Sequence, residues 1–103
     1  MGTWTIDAKT QPGVLRLKLA GRFTAEEMTG FLGEHNAAID RLGRRDYAVW
    51  ADLTDLAPLS PECAEIIEAA KRYSHARPNF RGSAVLVTTA TIALQQHRTS
   101  RQA

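Results

Sequence analysis

Between Val14 and Leu53 the apolar residues change spacing twice, and that succession narrows the choice of folds more than any other feature of the chain. In Val14-Leu15-Arg16-Leu17-Lys18-Leu19 the leucines alternate with cations, so an extended strand there has one apolar face and one wet face. Thr3-Trp4-Thr5-Ile6-Asp7 alternates in the same way, and Gln11-Pro12-Gly13 supplies a turn between the two runs. Together they predict an antiparallel hairpin with one solvated side. The spacing then becomes helical. Thr24-Ala25-Glu26-Glu27 reads as a capping box, in which the Thr24 hydroxyl and the Glu27 amide, and the Thr24 amide and the Glu27 carboxylate, satisfy each other. Met28, Phe31, Leu32, His35, Ala38, Ile39 and Leu42 follow at three- and four-residue intervals until Gly43. Tyr47 to Leu53 is almost continuously apolar, the pattern of a parallel strand covered on both faces.

A second helix start follows at Ser60-Pro61, a capping hydroxyl before a proline at the first helical position. Cys63, Ile66, Ile67, Ala70 and Tyr73 form its apolar stripe. His75 to Gly82 reads as a loop, Ser83 to Thr88 as another buried strand, and about Ala90 to Arg101 as a third helix with Ile92, Ala93 and Gln96 inward. The order β-β-α-β-α-β-α defines an α/β fold: one domain over residues 1–103, a four-stranded mixed sheet, and helices mainly on one face.

Several function classes are disfavoured. A single cysteine, Cys63, leaves no internal disulfide and fits a reducing, cytoplasmic compartment. Residues 1–10 lack the pattern of a secretory leader. The longest apolar run is far shorter than the ~20 residues of a membrane span, so a soluble protein is expected. Net charge is only +2, and the arginines gather at predicted helix ends, where the helix dipole favours them. No basic run interleaves with aromatics, which argues against nucleic acid as a partner.

Two short segments carry a family resemblance. Leu19-Ala20-Gly21-Arg22-Phe23-Thr24 and Asp52-Leu53-Thr54, in this order of elements, resemble the STAS family, the domain of sulphate transporters and anti-sigma-factor antagonists. The resemblance implies a STAS-like fold and a protein-docking role toward a regulatory kinase or sigma-factor regulator. It also implies a docking surface in the loop before the second helix and at that helix's start: Thr54, Asp55, Leu56, Pro58, Leu59, Ser60 and Glu62. The pattern departs at one place. Counting from Asp52, the family's acidic residue falls on Ser60 and its phosphorylated serine on Pro61, which has no hydroxyl. A divergent bacterial branch of the family continues with a further strand and helix. A chain ending at Ala103 is then expected to cover its last sheet edge by forming a two-fold homodimer or by exchanging its C-terminal helix.

An enzyme would have to use Cys63, His35, His75, His97, Asp52 or Asp55. Cys63 and His35 lie on predicted inward stripes, and His75 and His97 have no metal-ligand spacing to each other. Asp52 and Asp55 flank a strand end, the rim where α/β sheets bind ligands, but turns use aspartate there too. No phosphate loop, glycine-rich fingerprint or Ser-His-Asp set is present. The expectation is a non-enzymatic interaction module with no cofactor and no metal. The alternative is a STAS-like protein that binds a lipid or other small apolar ligand, which an enclosed apolar pocket would favour.

Overall fold

A computed structural model describes residues 1–87. The third helix expected near Ala90 to Arg101, with His97, lies outside the described residues. The elements are β1 (Thr3–Asp7), β2 (Val14–Gly21), α1 (Ala25–Leu42), β3 (Tyr47–Leu56), α2 (Pro61–His75) and β4 (Phe80–Leu86). The sheet order is β1-β2-β3-β4.

The hairpin pairs Trp4 with Leu19 and Ile6 with Leu17, which places both apolar sets on one face. β2 then pairs β3 in parallel, Leu15 opposite Val49 and Leu17 opposite Ala51, and β3 pairs β4 in parallel, Ala51 opposite Val85. Each parallel pair needs a crossover, and α1 and α2 supply them. Both capping predictions hold. Thr24 Oγ1 accepts from the Glu27 amide at 3.1 Å, and Glu27 Oε1 accepts from the Thr24 amide at 2.9 Å. Ser60 Oγ accepts from the Cys63 amide at 3.1 Å, with Pro61 in the first turn.

The core lies between the helices and one sheet face. Leu15, Leu19, Met28, Phe31, Ile39, Tyr47 and Cys63 are almost fully enclosed in it. No helix of the described residues covers the opposite face, and here the expectation for β3 is corrected. Val49, Ala51 and Leu53 are buried, but Ala48, Trp50 and Asp52 are only half-buried. Trp50 is apolar yet faces out, its ring covered by the Arg16 guanidinium 4.5 Å from the centroid. A cation on the adjacent strand thus replaces a second helix layer. β4 is corrected in the same sense. It is the edge strand of the described sheet, and Val85 and Leu86 are 41% and 47% exposed.

Among the described residues, Arg45 and Arg77 serve helix ends, as expected. Arg45 donates to the carbonyls of Leu42 and Arg41, which end α1. Arg77 donates to Asp40 and to the Tyr73 hydroxyl and lies over the Tyr73 ring, joining the ends of both helices. Arg81 pairs with Asp46 at 3.0 Å.

Gly21 is the tightest backbone position. Its φ is +84°, and an added Cβ would sit 2.5 Å from the Met1 carbonyl oxygen. Gly33, in contrast, is an exposed helix-interior glycine with nothing within 4 Å of such a Cβ. Gly21→Ala should therefore lower unfolding stability by roughly 2 kcal/mol or more, whereas Gly33→Ala should raise it by about 0.5–1 kcal/mol. Urea denaturation of the two variants beside the wild type checks both signs.

Candidate functional site

The rim at the C-terminal ends of β2 and β3 gathers the residues that the sequence singles out. Its shape begins with a defect in the sheet. Lys18 faces Asp52 and Ala20 faces Asp55, so β3 fits Leu53 and Thr54 where β2 has only Leu19. That extra residue is a bulge. Asp52 holds it: its Oδ1 accepts from the Thr54 amide at 3.0 Å and from the Thr54 hydroxyl at 2.7 Å. These bonds, the amide first and then the hydroxyl, keep the Asp52 carboxyl below its ordinary pKa, and Lys18 adds a smaller pull in the same direction. Alternation slips by one residue across the bulge, so Leu53 and Leu56 are both buried while Asp55 is exposed. Lys18 reaches Asp55 at 3.6 Å, but both side chains are more than half exposed and the pair adds little.

The chain is then tied back to its neighbour. The Ala57 amide donates to the Gly21 carbonyl at 3.0 Å. Pro58 is exposed, Leu59 packs against the core, and Ser60 opens α2. Cys63 is buried, and its Sγ donates to the Phe23 carbonyl at 3.6 Å. Glu27 Oε1 also accepts from the Gly2 amide at 3.2 Å, which fixes the start of β1 to the same rim. Bonds from Thr24 and then Gly2 lower the Glu27 pKa. Both helix starts and the loop between them therefore form one cross-braced edge.

The seven candidate docking residues divide unevenly. Asp55, Pro58, Ser60 and Glu62 are exposed; Thr54 and Leu59 are partly buried; Leu56 is in the core at 3% exposure. The apolar loop patch expected from the sequence therefore folds mostly inward, and Pro58 is its exposed remnant. Arg22, Thr24 and Glu26 join the exposed rim from the connection into α1, a proximity that linear spacing does not reveal. The Asp52-x-Thr54 spacing, an aspartate two residues before a hydroxyl, is the sequence signal that could have announced the bulge.

The enzyme candidates do not assemble. His35 is 3% exposed, packs at a tilt against Phe31 with centroids 5.7 Å apart, and shares a 2.8 Å hydrogen bond with Asn36 Oδ1. Burial lowers its pKa. His75 stacks on Phe80 at 4.7 Å. Among the described residues no group of three His, Cys, Asp or Glu is arranged to hold a metal, and no helix is long and apolar enough to cross a membrane.

No family model and no curated protein matches the chain. One solved structure is similar to it: an anti-sigma factor antagonist from Mycobacterium paratuberculosis, at a TM-score of 0.73 and 15% identity, over 99% of this chain and 80% of that one. At that identity the likeness establishes the fold. The four-stranded mixed sheet in the order β-β-α-β-α-β is the STAS fold, which that structure shares.

Two variants probe how the rim is built. Ser60→Ala removes the α2 cap and should cost about 1 kcal/mol, read by thermal denaturation. Asp52→Asn keeps an acceptor but removes the charge that its two donors favour. Because the folded pKa of Asp52 lies below 3.8, its carboxylate contributes stability above that pH and loses it as pH falls through the folded pKa. The stability gap between wild type and Asp52→Asn should be constant from neutrality to about pH 4 and shrink below it. A gap independent of pH would contradict the clip.

Proposed function

We propose that the chain is a non-enzymatic regulatory module that docks a protein partner through the rim formed by Asp55, Pro58, Ser60 and Glu62, with Thr54 and Leu59 behind them. The observation that carries this reading is the cross-braced rim on the fold of an anti-sigma factor antagonist. A surface held by backbone bonds needs little ordering on binding, and exposed carboxylates beside a proline suit a flat protein contact. A regulatory kinase or sigma-factor regulator is the expected kind of partner, in a reducing cytoplasm where the buried Cys63 thiol stays free.

Docking on this reading is not gated by phosphate. The position matching the family's phosphorylated serine is Pro61, and the neighbouring Ser60 hydroxyl is engaged as the α2 cap. A small-ligand role is less well supported. The apolar cavity under the helices measures about 70 Å³, about half of the roughly 150 Å³ that admits benzene in an engineered core.

The test uses the whole chain as bait in its native cell. Cross-linked wild type should retain a regulatory protein that Asp55→Lys/Glu62→Lys loses, while Arg44→Glu, at the opposite end of the sheet, retains it. Equal capture by all three baits refutes the rim, and stoichiometric phosphate on Ser60 in the purified protein refutes the ungated reading.

We also propose a two-fold homodimer, supported by the exposed, apolar edge strand β4. Sedimentation at micromolar concentration should give twice the monomer mass. A clean monomer removes the proposal.

A further inference from the structure

The sheet face turned away from the helices carries a knob and a hollow side by side. Cross-strand pairing puts Asp7, Arg16, Trp50 and Ala84 in one row across it, and Thr5, Lys18, Asp52 and Leu86 in the next. The Trp50 indole, roofed by the Arg16 guanidinium, is the knob. Beside it lies a shallow hollow of about 610 Å³, where Ala48, Gly82 and Ala84 leave the sheet almost bare. A bulge shapes this hollow. Tyr47 faces Phe80 and Val49 faces Ser83, so β4 fits Arg81 and Gly82 where β3 has only Ala48. Gly82 takes a φ of +131°, and an added Cβ there would meet nothing within 4 Å. Much of the face is apolar and uncovered by the described residues: Ala84 is exposed, Leu86 is 47% exposed, and Ala48 and Trp50 are half-buried.

We infer that this face is the contact surface of a second copy of the chain, with the Trp50 ring of each copy seated in the hollow of the other. The inference rests on the homodimer proposed above and assigns its interface. A knob and a hollow on one face become self-complementary about a two-fold axis that passes between them. A second copy is favoured over a strongly charged partner, because the charges here are already matched within the chain. Lys18 reaches Asp55 at 3.6 Å and Arg81 pairs with Asp46 at 3.0 Å. Asp7 accepts from the amides of Lys9 and Thr10, and Asp52 accepts from Thr54. What remains is an indole and a guanidinium at the centre with ion pairs around them, the composition of a hot spot inside a polar rim.

The size of the face sets the strength of the contact. Four strands wide and five residues long, its footprint is about 19 by 17 Å. That is less than the roughly 800 Å² a side of a tight complex, so the dimer should dissociate in the micromolar range. The starts of α2, on the helix-covered side of the sheet, remain outside this contact in both copies.

An exchange of knob and hollow tests the inference, read by sedimentation at about 1–100 micromolar protein. Ala84→Phe fills the hollow and Trp50→Ala removes the knob, and each alone should raise the dissociation constant roughly tenfold or more. Mixed together, the two variants should associate with close to wild-type affinity. The shortened residue 50 of one copy then meets the filled hollow of the other, and the second contact is unaltered. Mixing does not repair a folding defect. Oxidative footprinting of the wild type needs no variant and serves if either one does not fold. Trp50 should become protected as concentration rises, while Trp4, packed against the core through Phe23 and Phe31, should not change. A dimeric wild type with unprotected Trp50, substitutions without effect, or a mixture no tighter than its parents overturns this interface and leaves the dimer to the β4 edge. A monomeric wild type overturns the dimer and the interface together, and leaves the face to a different protein.

Discussion

The parallel pairing of β2 with β3 is the contact on which the rest of the fold depends. It joins Leu15 and Leu17 to Val49 and Ala51, residues far apart in sequence. A parallel partner cannot be reached by a tight turn, so everything between Gly21 and Tyr47 must serve as crossover. The apolar stripe of α1 and the leucines of β2 then have the same surface to fill. Once α1 is seated, β3 lies beside β2 as an inner strand, α2 must return over the same face, and β4 is placed at the edge of the described sheet. The hairpin strand β1 adds to the other side of β2 with local pairing only. Such a non-local pairing is entropically costly to form, and the two strong N-caps favour it by starting each crossover helix at a defined residue.

The rim is a by-product of the same pairing. Two parallel strands that end together must launch their helices from the same edge, so the caps of α1 and α2 become neighbours. The Cys63 thiol on the Phe23 carbonyl and the Ala57 amide on the Gly21 carbonyl then brace one launch against the other. The bulge at Leu53-Thr54 sets what the edge displays. With strict alternation, Leu56 would take the side opposite to Leu53. The extra residue turns both inward and leaves Asp55 outside.

Most of the architecture was legible because its signals are local. The alternation in Val14 to Leu19, the Thr24-Glu27 box and Ser60-Pro61 each act through neighbours in sequence, and the structure contains all three. What was not legible depends on contacts across the fold. Trp50 reads as core, yet it faces outward under Arg16 of the next strand. β3 runs on to Leu56, past the expected end at Leu53, because Asp52 absorbs an extra residue. β4 starts at Phe80, within the segment read as loop, where Asn79 bonds to the Gly43 and Arg45 carbonyls and Tyr47 donates to the Asn79 carbonyl. The apolar character of the candidate rim was overestimated from the sequence. Leu56 and Leu59 belong to the core as much as to the loop.

Pro61 deserves a physical reading beyond the loss of a hydroxyl. At the first helical position it has no amide hydrogen to leave unsatisfied, and its ring presets the backbone for a helix. Ser60 before it is held extended, at φ −66° and ψ 160°, which proline also favours in its predecessor. The pair therefore makes the start of α2 more rigid than a serine at position 61 would. A reversible phosphate works as a switch only when the modified surface has two states of similar energy. The start of α2 is capped by Ser60, opened by Pro61 and braced to its neighbour through Cys63. The rigid start of α2 and the absence of a hydroxyl at position 61 are what the proposal of docking without a phosphate gate rests on.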